Sequence, residues 1–86
     1  MRIQVLGTGC ARCENLYNNA VEAVGRFEMN RIEIEKVRDP EIFLRLKVFM
    51  TPALVINGEV ISSGKVLTPD EIESELLKRA SGDKDE

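Results

Sequence analysis

The chain has 86 residues, of which 43% are hydrophobic and 31% charged, and it carries a net charge of −3. That suits one domain with a single core, burying roughly 60–65% of its surface, and it argues against nucleic acid as a partner. With no histidine, Ser-His and Cys-His catalysis and every His-containing metal site are excluded. In chain order, residues 3–6 form a short apolar strand that Gly7-Thr8-Gly9 breaks into a turn. Cys10-Ala11-Arg12-Cys13 comes next. A helical pattern over 14–24 follows, with Leu16, Tyr17, Ala20 and Val24 on one face and Gly25 as C-cap.

Residues 31–37 read as a strand through Ile32 and Ile34, with Glu33 and Glu35 on its wet face. Asp39-Pro40 opens a helix as N-cap and first residue, and Ile42, Phe43 and Leu46 make its apolar side. Asn57-Gly58 is a hairpin turn between strands at 53–56 and 59–62. Thr68-Pro69-Asp70-Glu71 is a capping box that opens a last helix, with Ile72, Leu76 and Ala80 inside and Lys78-Arg79 suited to its negative end. Phe27, Phe43 and Phe49 read as core or core-edge residues. Residues 1–80 are therefore one domain and 81–86 a solvated tail. The order β-α-β-α-β-β-α predicts an α/β fold, with the first two strands parallel in a four-stranded mixed sheet and three helices packed on its faces. Residues 1–7 are too short for a signal-peptide core and no run approaches membrane-spanning length, so a cytoplasmic monomer without membrane contact is expected.

The chemistry is concentrated in Cys10 and Cys13, the only cysteines. Both stand at the start of a helix, where unpaired N–H groups and the positive end of the macrodipole stabilise a thiolate. Residues three apart share a helix face, so the two sulfurs are near enough to close a disulfide after modest adjustment. One sulfur can then attack a partner and the other resolve the mixed disulfide. Cys10, at the cap, is the more exposed and the expected nucleophile; Cys13 is the expected resolving thiol. Arg12 between them either adds positive charge beside Cys10 or points into solvent.

Met50-Thr51-Pro52-Ala53 precedes the third strand, where proline is tolerated because it donates no ladder hydrogen bond. A Cys-x-x-Cys after strand one, a later Thr-Pro and an Asn-Gly hairpin together resemble the small thioredoxin/glutaredoxin-like proteins of archaea and bacteria. The best-matched stretch is Thr51-Pro52-Ala53-Leu54-Val55-Ile56-Asn57-Gly58-Glu59-Val60, followed by Gly64 and the terminal helix. The resemblance implies a thioredoxin-like thiol–disulfide oxidoreductase in which Pro52 is cis beside Cys10 and the backbone of Thr51 pairs with a substrate strand. It implies no cofactor beyond the Cys10-Cys13 disulfide, protein disulfides as substrates, and an electron donor such as a flavin-dependent reductase. Met50 reads either as part of an apolar docking lip or as plain packing.

The chain also departs from the family pattern. Gln4 stands six residues before Cys10, where thioredoxins carry a buried carboxylate, and it cannot act as a base. Ser62-Ser63-Gly64-Lys65 lacks the acid with which glutaredoxins grip glutathione. A rival resemblance is to heavy-metal-associated domains, whose Gly-Met-x-Cys-x-x-Cys loop holds Cu(I) or zinc. That fold runs β-α-β-β-α-β, whereas Asp39-Pro40 opens a helix here, the chain ends in another, and Thr8 replaces the loop's methionine. Disulfide exchange is the preferred reading and no resident metal is expected.

Overall fold

The computed structural model describes residues 1–26 and 32–84, with side chains through Arg79. Expectations for Phe27, Arg31 and the side chain of Ala80 lie outside it. The elements are β1 (Arg2–Leu6), α1 (Ala11–Gly25), β2 (Glu33–Val37), α2 (Pro40–Arg45), β3 (Ala53–Ile56), β4 (Glu59–Ser63) and α3 (Pro69–Lys84). The sheet runs β2-β1-β3-β4, with β1 parallel to β2 and antiparallel to β3. This is the mixed α/β sheet that the order of elements predicts.

Alternation along the strands divides the core between two faces. Ile3 and Val5 of β1 and Leu54 and Ile56 of β3 pack with Leu16, Ala20 and Ala23 of α1 and Ile72 and Leu76 of α3. On the other face Leu6, Val37, Ala53 and Val55 lie with Val48, covered by Ile42, Phe43 and Leu46 around the short α2. Strand β3 is buried at all four positions because both faces are covered.

Local signals acted where they were expected. Asp39 caps α2 by accepting a hydrogen bond from the Glu41 N–H at 2.9 Å. Thr68 and Glu71 close a reciprocal box at 2.9 and 3.1 Å. Asn57 and Gly58 take φ values of 52° and 82° in the hairpin turn.

Three boundaries and one burial differ from expectation. Helix α1 begins at Ala11 rather than at residue 14, with Cys10 as its N-cap, as expected, and Cys13 inside its first turn. Gly25 is its last residue and Arg26 is the C-cap, held by the Ala23 and Val24 carbonyls and by side-chain bonds to Glu22, Asp70 and Glu73. Helix α3 continues to Lys84, through the stretch expected to begin a tail at Ser81. Lys78 and Arg79 therefore stand before its end, and they pair with Glu75 and Glu59. Finally, Phe49 is not a core residue: it is 79% exposed, because α2 ends at Arg45 and the chain turns at Lys47 with φ 59° before reaching it.

Candidate active site

The site lies where β1 ends and α1 begins. The Gly7 N–H donates to the Val37 carbonyl at 3.0 Å, fixing the end of β1 against β2. Thr8 and Gly9 then turn the chain into the helix. Gly9 has φ +90°, and the place where its Cβ would stand is 2.9 Å from Nη2 of Arg38. A side chain there would meet both backbone strain and the guanidinium. Cys10 is exposed and Cys13 only 5% exposed, both are free thiols, and their sulfurs are 2.8 Å apart.

The Cys10 thiol is held below the ordinary cysteine value, chiefly by its hydrogen bond with the Cys13 side chain. The backbone N–H groups of Cys13 and Arg12 add to this, while desolvation opposes it. No full cap hydrogen bond reaches the Cys10 side chain. The N–H groups of the first turn therefore act on the sulfur as dipoles. Glu14, one residue after Cys13, would put a like charge near a thiolate, but Lys36 holds its two oxygens at 3.0 and 2.9 Å. The same ammonium lies 4.6 Å from the centre of the Tyr17 ring. A hole of about 10 Å³, one water in size, lies against Cys13, Gly7, Glu14, Lys36 and Arg38.

The second wall of the site is the start of β3. The Thr51–Pro52 peptide is cis, as the resemblance implies. Pro52 is fully buried, Thr51 half-buried and Met50 64% exposed. Ala53 pairs with Leu6, which brings this segment beside the end of β1. The Pro52 carbonyl accepts from the Gly64 N–H at 2.8 Å, and the Met50 carbonyl accepts from the Ser63 hydroxyl at 2.9 Å. Arg12 makes a contact outside the two expectations: its Nη2 donates to the Gly64 carbonyl at 2.8 Å, 52 residues away. It joins the cysteine helix to the loop that holds Pro52.

With this geometry in view the comparisons are decisive. The sequence matches the thioredoxin domain family over residues 1–77. The chain belongs to the thioredoxin family. It is 37% identical over 76 residues to a thioredoxin of Methanothermobacter thermautotrophicus, covering 88% of this chain and 97% of that protein. It is also 32% identical over 80 residues to a thioredoxin of Methanocaldococcus jannaschii, covering 93% and 91% respectively. A thioredoxin-like redox function follows. The observed element order is not that of a heavy-metal-associated domain.

Sequence reading named Cys10, Cys13, Arg12, Met50, Thr51 and Pro52, and the fold gathers them at one end of the sheet. It missed Gly7, Arg38 and the Glu14–Lys36 pair. Their signal was topological. Once β1 and β2 are parallel and in register at Leu6 and Val37, residue 38 must stand beside the loop that leads to Cys10. Gln4 lies between Ile3 and Val5, so its side chain takes the opposite face from α1. Its amide donates to Glu35 at 2.9 Å. With Arg2, it keeps the Glu35 carboxyl below the usual range.

Among the described residues no helix is long and apolar enough to cross a membrane.

Proposed function

We propose that the protein exchanges its Cys10-Cys13 dithiol with disulfides of other proteins, with no further cofactor. The observation that carries this reading is an exposed Cys10 thiol, lowered in pKa, 2.8 Å from a buried Cys13 at a helix N-terminus. The Cys10 thiolate attacks a substrate disulfide; one substrate sulfur leaves as a thiolate and takes a proton. Cys13, shielded from competing reactants, then attacks the Cys10 sulfur. The second substrate thiolate leaves, and the Cys10-Cys13 bond closes. Two electrons pass from the protein's thiols to the substrate disulfide.

Thr51 and Pro52 offer the substrate an extended backbone to lie against, while Met50 and Phe49, both exposed, give its apolar side chains a soft lip. Arg12 closes the edge of this surface through Gly64. The dithiol is restored by an external donor, for which a flavin-dependent reductase is the expected class, and a monomer in a reducing compartment such as the cytoplasm suits a pair that works between thiol and disulfide.

The test is a disulfide-reduction assay on a protein substrate. Wild type should turn over, Cys10→Ser should be inactive, and Cys13→Ser should accumulate a covalent adduct through Cys10. A Cys13→Ser variant that forms no adduct under mild oxidation would remove these roles. Stoichiometric uptake of Cu(I) by reduced protein that reduces no disulfide would replace exchange with metal binding.

A further inference from the structure

We propose that Gly7 is a positioning residue for the resolving step: the side chain it lacks leaves the space in which the Cys13 sulfur stands, and so sets the approach of Cys13 to Cys10. A Cβ built on Gly7 falls inside the van der Waals sphere of Cys13 Sγ and 2.8 Å from Cys13 Cβ. Gly7 is not in the left-handed region, so alanine meets no backbone strain there. What glycine supplies is room. Neither side of the contact can give way freely. Gly7 is buried and its N–H is fixed to Val37, and Cys13 sits in the first turn of a 15-residue helix.

The sulfur of Cys13 thus has close neighbours in both Gly7 and Cys10 Sγ, the latter at 2.8 Å. A methyl group at position 7 displaces it: a change of rotamer moves the sulfur, and the Cβ contact, which no rotamer relieves, shifts the first turn of α1 as well. Gly25 and Gly58 are unlike it, with nothing within 4 Å of an added Cβ.

This inference rests on the exchange reading, and its consequence is specific to one step. Attack by Cys10 on an incoming disulfide needs only the exposed sulfur. Resolution needs the Cys13 thiolate aligned with the Cys10–substrate bond: the Cys13–Cys10 bond forms, the Cys10–substrate bond breaks, and the substrate thiolate leaves and is protonated. Misplacing an attacking atom by about 1 Å costs roughly a hundredfold in rate.

The experiment uses an aromatic disulfide dye that releases one coloured thiolate when Cys10 attacks and a second when Cys13 resolves. Wild type and Gly25→Ala should release both in quick succession. Gly7→Ala should keep the first release within a few-fold and slow the second roughly tenfold to a hundredfold. Wild type without a second release overturns the exchange reading itself. Normal wild-type kinetics with an unchanged second release in Gly7→Ala overturns the inference alone. Stability provides an independent check should Gly7→Ala fold poorly. Placed in the Cys13→Ala background, where the sulfur contact is gone and the Cβ contact remains, Gly7→Ala should lower the melting temperature less than it does with Cys13 present. An equal loss in both backgrounds contradicts the proposal.

Discussion

At the hairpin end of the sheet Asn57 closes on Arg2 from both directions, its N–H donating to the Arg2 carbonyl at 2.8 Å and its Oδ1 accepting the Arg2 N–H at 2.9 Å. Arg79 reaches from α3 to Glu59 at 3.1 Å beside it. At the cysteine end, the buried Cys13 is matched by an exposed Cys10, and Phe49 and Met50 stand 79% and 64% exposed where a folded chain ordinarily hides such side chains. One end ties its strands and α3 together through these polar contacts. The other leaves a reactive sulfur and two apolar side chains exposed. The proposed docking role of Phe49 and Met50 rests on this exposure, and the fixed end supplies rigidity to the sheet that carries them.

Exchanging the roles of the two ends is the strongest test of this contrast. Cys10→Ser should abolish disulfide exchange while changing the melting temperature little, since the residue is exposed and a hydroxyl keeps a polar atom beside Cys13. Asn57→Ala should do the reverse. Removing a side-chain bond at a residue with φ 52° should cost about 1–2 kcal/mol in denaturant unfolding, with turnover per folded molecule unchanged. A smaller effect is expected at the apolar lip. Phe49→Ser should lower kcat/KM for a protein substrate several-fold, leave a small disulfide dye unaffected, and shift stability by less than about 0.5 kcal/mol. Equal losses on both substrates would place Phe49 in the chemistry rather than in docking.

Much of this architecture was legible because its determinants are local. The Asp39, Thr68 and Asn57-Gly58 signals each act over no more than four residues, and each formed. Helix α1 and the Cys10/Cys13 spacing were readable for the same reason. What failed depends on distant neighbours. Phe49 was read as core or core-edge on hydrophobicity alone, but its burial depends on where α2 stops. Gly25 has the composition of a C-cap, yet Arg26 takes that place through Asp70 and Glu73, which belong to α3. The Arg12 bond to Gly64 escaped the local reading, because its acceptor is close only after β3 and β4 have paired. Gly7 read as turn punctuation, and only the packed position of Cys13 gives it a sharper purpose.

The smallest predicted effect concerns pH. The folded pKa of Cys10 lies below its unfolded value, so between the two the unfolded chain binds the extra proton. Stability of the reduced protein should therefore rise as pH climbs through that window and level off above it. Cys10→Ser should remove the rise. Oxidised protein should show none.

The measurement that bears most directly on the account is alkylation of the reduced protein across pH, with the labelled cysteine identified by mass spectrometry. Cys10 should be labelled first, with a midpoint below the ordinary thiol range, and Cys13 should remain protected until the chain unfolds. Labelling of Cys13 at the same rate as Cys10, or a Cys10 midpoint at the ordinary value, would contradict an exposed thiolate backed by a buried resolving thiol.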